Sequence, residues 1–204
     1  MSGRTGMFEA LKDGSGASIV LDEIEISILR SLAVQLLELI GPGAPEAAED
    51  ADPLAALFAE GPSEPPSDPA LARLFPDAYG APDGAGDTGV DPDELKARSA
   101  EFRRFTENDL RTRKREDALA VVRSLDGLDP ADGGAAVLEL TGEQPLRWLG
   151  ALNDLRLTIA ARLDITEDDE SAVLFRLPDD DPRKPMVMAY LWLGGLQESL
   201  IETL

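Results

Sequence analysis

Between Asp22 and Ile40 the apolar residues Ile24, Ile28, Leu32, Leu36 and Leu39 recur every three or four positions, the period of one helix face. Asp22 supplies an N-cap side chain and Gly41-Pro42 a stop. Upstream, residues 7–11 and 17–21 flank the glycine-rich turn Asp13-Gly14-Ser15-Gly16, which predicts a β-hairpin. Asp68-Pro69 opens a short helix carrying Leu71 and Leu74, and Pro76 closes it. Asp91-Pro92-Asp93-Glu94 puts Asp at the N-cap, Pro at the first helical position and acids in the first turn. The long helix that follows is expected to end near Asp126-Gly127. Thr141-Gly142-Glu143-Gln144 has a capping-box pattern and leads into the stripe Trp148, Leu152, Leu155, Ile159 and Leu163. Thr166-Glu167-Asp168-Asp169 caps a short segment, and Asp181-Pro182 starts a last helix over residues 184–204. Met186, Val187, Met188, Tyr190, Leu191, Trp192 and Leu193 make the first half of that helix apolar on every face, which predicts a central place in a bundle.

These elements predict a mainly α fold of the α+β class. Four to five main helices surround a buried C-terminal helix, and the N-terminal hairpin forms a small antiparallel β-sheet with residues 135–140. The chain, 1–204, reads as a single domain. Residues 41–67 hold six prolines, seven alanines and six acidic groups without periodicity, the signature of a flexible acidic insert. Leu54, Leu57 and Phe58 form an apolar cluster within it, either a local contact with the body or a partner-binding motif. A second Gly/Asp-rich loop covers residues 76–90. Residues 133–157 repeat the grammar of residues 16–40 at a shift of 117, with Val20/Val137, Leu21/Leu138, Leu29/Leu146 and Leu32/Leu149 matching. A shared strand-helix pattern and an internal duplication both account for this.

Composition removes whole classes of chemistry. The 204 residues contain no histidine and no cysteine. That excludes a Ser-His-Asp triad, a cysteine nucleophile, a nitrogen-and-sulfur zinc site and an internal thiol switch. No phosphate-cradling loop emerges: Gly14-Ser15-Gly16 leads into a strand rather than a helix, and Gly84-Ala85-Gly86 has no strand before it. With 43% hydrophobic residues the chain can bury a core despite a formal charge of -21. The longest apolar run, residues 186–196, is half the ~20 residues a membrane span needs. Residues 1–12 lack the apolar core of a signal peptide. A cytoplasmic location without membrane contact is expected, and no cofactor or metal is expected.

The long helix is the one basic island. Residues 96–123 hold nine Lys and Arg against five acids, so the rest of the chain carries about -25. Arg103, Arg104, Arg111, Arg113, Lys114 and Arg115 allow three readings. They pair along the helix (Glu94–Arg98, Glu107–Arg111, Asp109–Arg113), they dock a protein, or they contact phosphates, which the body charge opposes. The acidic runs 167–170 and 179–181 lack the spacing of a calcium loop and read as loops and caps. Asn153, Asp154 and Arg156 in one apolar helix, and Gln197, Glu198 and Ser199 in another, form either an interhelical network, with Arg156 on Glu198 as the favoured pair, or a partner-facing site. The candidate partner-binding residues are therefore Arg103, Arg104, Arg111, Arg113, Asp154, Arg156, Gln197 and Glu198.

Four stretches carry a resemblance: residues 68–79 (DPALARLFPDAY), 101–114 (EFRRFTENDLRTRK), 148–170 (WLGALNDLRLTIAARLDITEDDE) and 190–200 (YLWLGGLQESL). Together they resemble the AosR family of actinobacterial oxidative-stress-response regulators, and the likeness extends over most of the chain outside the acidic insert. The resemblance implies a non-enzymatic, transcription-associated regulator that works by protein–protein contact beside an alternative sigma factor, in redox stress and sulfur metabolism. Redox sensing through a cysteine pair is attributed to such regulators, and this chain has no cysteine. A response to oxidant here then runs through a partner, or through methionines such as Met186 and Met188, whose oxidation would put a polar group into the core. The competing functions are a carboxylate- or metal-dependent enzyme and a direct DNA-binding regulator.

Overall fold

A computed structural model of the chain describes residues 6–42, 60–79, 91–130, 134–165 and 176–204. In chain order the elements are β1 (Glu9–Ala10), β2 (Gly16–Asp22), α1 (Glu23–Ile40), α2 (Pro69–Leu74), α3 (Pro92–Asp126), β3 (Ala135–Thr141), α4 (Gln144–Arg162) and α5 (Lys184–Ile201). The protein is mainly helical, with one three-stranded antiparallel sheet in the order β1-β2-β3. The acidic starts act as read. Asp22 and Glu25 form a reciprocal capping box, Asp68 accepts from the N–H groups of Ala70 and Leu71, and Asp91 accepts from that of Asp93. At α4 only the reciprocal half of the box forms, with Gln144 Oε1 accepting from the Thr141 N–H.

Ala17, Ile19 and Leu21 of β2 and Leu138 and Leu140 of β3 point into the core while their neighbours face outward, the alternation of a half-buried sheet. The register places Val20 opposite Val137, the same pair that the 117-residue shift equates. Each of these two strands leads into a helix, α1 or α4, and the antiparallel register gives the paired strands a local two-fold through Val20 and Val137.

The helix at the centre is α4 rather than α5. It packs against α1, α2, α3, α5 and β3, whereas α5 rests chiefly on α4. Trp148, Leu152, Leu155 and Ile159 are buried on it, each contributing about 1.5–3 kcal/mol of apolar burial. Trp148 also meets Phe8 edge to face at 5.9 Å and donates to Ser124 Oγ. On α5 one face is buried (Val187, Leu193, Leu196, Leu200), while Met186, Met188, Leu191 and Ile201 are exposed and Trp192 is half-buried. Its all-round apolar sequence therefore covers a core face and a surface face, and methionine oxidation there would modify the surface. The stripe on α1 is displaced too. Leu29, Ala33, Leu36 and Ile40 are buried, and Ile24 and Ile28 face solvent, because β2 and α3 meet the helix on that adjoining face.

Residues 43–59 of the acidic insert, with Leu54, Leu57 and Phe58, lie outside the described residues, as do 80–90 and the acidic run 167–170. The described ends of two of these stretches are held on α3: the Gly61 N–H donates to the Arg104 carbonyl at 2.7 Å, and Tyr79 exchanges hydrogen bonds with Ser99. Among the described residues no helix is long and apolar enough to cross a membrane.

Candidate functional site

The predicted site residues separate into three sets. Arg103, Arg111 and Asp154 are structural. Arg103 is only 4% exposed and donates to Glu107, Asp77 and the Phe75 carbonyl. Glu107 in turn accepts from Arg111, which reaches the Ile40 carbonyl and lies 4.4 Å from the centroid of the Phe75 ring. This charged seam ties α3 to the ends of α1 and α2, and Arg115 extends it to the carbonyls of Leu37 and Gly41. Of the pairs read along the helix, Glu94–Arg98 and Glu107–Arg111 form, while Asp109–Arg113 is not among the ion pairs of the described residues.

Asp154 faces inward from α4 and accepts from Lys114 Nζ at 2.5 Å. Burial pushes its carboxyl above the ordinary value, against the pull of Lys114. Asp117 beside it is raised for the same reason, opposed by Arg147 and Arg113. Helices α3 and α4 approach closely at Gly150, where a Cβ would lie 2.7 Å from Asp117 Oδ2 and force that carboxylate to shift. Arg104 is partly exposed and pairs with Glu60, and Arg113 is exposed.

Arg156, Gln197 and Glu198 come together on the opposite side of α4. Arg156 projects across the exposed face of α5, its guanidinium 5.2 Å from the Tyr190 ring centroid and donating from Nη1 to Gln197 Oε1 at 2.5 Å. The partner is thus Gln197, one position from the expected Glu198: on a helix the two point 100° apart, and only Gln197 faces α4. Arg156 Nε is buried without a hydrogen-bond partner among the described residues. With Leu191, Gly194, Gly195, Ile201, Glu198 and Glu202 these residues line a groove of about 710 Å³. It joins a smaller cleft beyond the glycines, walled by Met7, Phe8 and Glu9.

Sequence reasoning missed Tyr190, Gly194, Gly195 and Glu202 as members of this site. The legible signal was the glycine pair in mid-helix. Each glycine weakens a helix interior by about 0.8–1 kcal/mol relative to alanine, yet the fold needs neither. A Cβ at Gly194 would sit at an ordinary 3.6 Å from Arg156, and one at Gly195 would meet only the flexible tip of Met7 at 3.0 Å. What the pair provides is a groove floor without side chains of its own, with the Arg156 guanidinium against Gly194 and the Met7 tip against Gly195.

The four sequence stretches that carry the family likeness include both walls of this groove. The family described as a domain of unknown function, DUF2017, matches residues 5–204. The chain belongs to this family. It is 30% identical over 192 residues to the oxidative stress regulator AosR of Mycobacterium tuberculosis, covering 93% of this chain and 83% of that protein, and equally to AosR of Mycobacterium bovis. A Mycobacterium leprae protein designated a putative oxidative stress regulator AosR is 32% identical over 182 residues, covering 87% of this chain and 77% of its own. No solved structure matches the chain. The relatives' names support a regulatory role for the family.

Proposed function

We propose that this chain is a non-enzymatic regulator that acts by protein–protein contact, its groove around Arg156 receiving a helix of a sigma factor or another component of the transcription machinery. The observation that carries this reading is the glycine pair, Gly194-Gly195, which gives up helix stability that the chain's own packing does not require. Small residues on an exposed helix face allow a second backbone to approach closely. Arg156 walls one side of the groove with its guanidinium held on Gln197, and Glu198 and Glu202 on the other side favour a basic group. The net charge of -21 adds long-range attraction for a basic partner and repulsion for nucleic acid.

Two further points support the docking reading over its rivals. Of the six α3 cations that a phosphate-binding surface would use, Arg103, Arg111, Lys114 and Arg115 are spent on internal acceptors. The relatives' printed names, moreover, describe regulators. With no cysteine in the chain, a response to oxidant enters through the partner or through the exposed methionines of α5. The test fills the floor. Gly194→Ala and Gly195→Ala should each keep or raise the melting temperature, while the double variant Gly194→Leu/Gly195→Leu should abolish co-purification of RNA polymerase or its sigma factors from a native lysate. If the filled variant remains folded and captures those proteins as well as the parent does, the groove is not the docking site.

A further inference from the structure

The first half of α3 is inside out. Its buried positions are Ser99, Arg103 and Glu107, all polar, while Phe102 and Phe105 on the outer side are 47% and 64% exposed. Both rings are held in place: Tyr79 meets Phe102 edge to face at 6.1 Å, and the Arg104 guanidinium lies 5.8 Å from the Phe105 centroid. Two pre-positioned aromatics on adjacent turns are the composition of an interface centre rather than of ordinary surface.

The charges around them say what covers this face. Glu94, Arg98, Phe102, Phe105, Asp109 and Arg113 follow one another in steps of four, four, three, four and four residues, and all are exposed. At 100° per residue they form one stripe about 100° wide. The spacing is palindromic and the charges are reversed about its centre. When two such helices run antiparallel, centred between the phenylalanines, Phe102 meets Phe105 of the other copy, Arg98 meets Asp109 and Glu94 meets Arg113, each contact occurring twice. A parallel pairing in register would instead place every charge against its like. The stripe is also neutral, with two acids and two bases, in a chain of net charge -21, so a second copy meets no repulsion here. We propose that the outer face of α3 is a self-pairing surface, docking antiparallel on α3 of a second copy across a two-fold axis. An isologous contact requires this reciprocity, residue i on j and j on i. A cleft of about 220 Å³ beside Phe102, lined by Phe75, Pro76, Thr106 and Leu110, leaves room for the incoming ring.

Sedimentation velocity on the full chain from about 1 to 100 μM tests the pairing, a range that spans ordinary weak-to-moderate association. The parent chain should shift from monomer to dimer within it. Phe102→Ser/Phe105→Ser should remain monomeric at an unchanged melting temperature, since both rings are exposed. Arg98→Asp alone and Asp109→Arg alone should each weaken self-association roughly tenfold, because each sets like charges against one another twice. An equimolar mixture of these two variants should restore the dimer. In the mixed pair one copy carries an acid at both positions and the other a base at both, so each contact between positions 98 and 109 again joins opposite charges. A parent chain that stays monomeric at ~100 μM, or a mixture no better than its components, overturns the proposal.

Discussion

Among the described residues, Lys114 and Asp154 form the one ion pair between α3 and α4 in which the carboxylate is almost fully enclosed, 3% exposed, with the ammonium at 2.5 Å. Lys114→Met retains the length of the side chain and removes its charge. The carboxylate left behind has two options, and their cost sets the magnitude. Staying ionised and unpaired in the interior costs about 3–5 kcal/mol. Taking up a proton at pH 7 costs about 4 kcal/mol for a group whose free value is near 4, at 1.36 kcal/mol per unit. A loss of ~3–4 kcal/mol at neutral pH follows, or roughly 10 °C in melting temperature for a domain of this size.

The pH dependence carries the sharper information. Because burial raises the folded Asp154 pKa above its ordinary 3.8, protonation favours the folded state. That contribution is complete below the unfolded value and lost as pH rises through the folded one. Removing Lys114 raises the folded value further, so the gap between variant and parent should be widest near pH 7 and should close toward about pH 4. Asp68, Asp126 and Asp181 have lowered pKa values, through the Leu71 N–H, Arg30 and Arg183 respectively, and lose their contribution as pH falls. They do so in both proteins, so the difference is unaffected. Urea denaturation across this range is the assay, with Lys114→Met/Asp154→Leu as the control that should recover most of the loss, because neither charge remains. A gap below about 1 kcal/mol at neutral pH, or one of the same size at about pH 4.5, would refute the reasoning.

Other outcomes follow from the same packing. Trp148→Ala should cost about 3–5 kcal/mol and Trp192→Ala clearly less, since only the former is fully enclosed; equal denaturant midpoints would contradict the placement of α4 at the centre. Arg103→Ala should cost about 2–3 kcal/mol, because the Phe75 carbonyl loses its donor and Glu107 keeps only Arg111, and Arg111→Ala about 1–2 kcal/mol through its bonds to Ile40 and Glu107, which chemical denaturation can rank. Mild peroxide should convert Met186 and Met188 to sulfoxides, seen by peptide mass mapping, with little change in melting temperature; a large drop would mean that these side chains are enclosed.

Much of the framework was determined by local chemistry. Asp22, Asp68-Pro69, Asp91-Pro92 and Gly127 set helix ends because capping depends on side chains within three or four residues of the backbone they satisfy. Strand alternation in residues 16–22 and 135–141 is equally local, and so was the division into a small sheet and a set of helices. What the tertiary structure alone decided was which face of each helix is inside. On α1 apolar residues occupy both the Ile24-Ile28-Leu32 line and the Leu29-Ala33-Leu36 line, and periodicity cannot choose between stripes so close together; the positions of β2, α3 and α4 do. The same holds for α5, whose apolar circumference suits a central helix and a docking surface alike. On the first half of α3 the choice went against hydrophobicity: Arg103 and Glu107 are buried and Phe105 is exposed. Acceptors from distant parts of the chain surround the cations of this seam, the Phe75 carbonyl and the Asp77 carboxylate around Arg103 and the Ile40 carbonyl at Arg111. Only once such acceptors are brought together does burying an arginine cost less than leaving them unpaired, and no window of sequence contains them all.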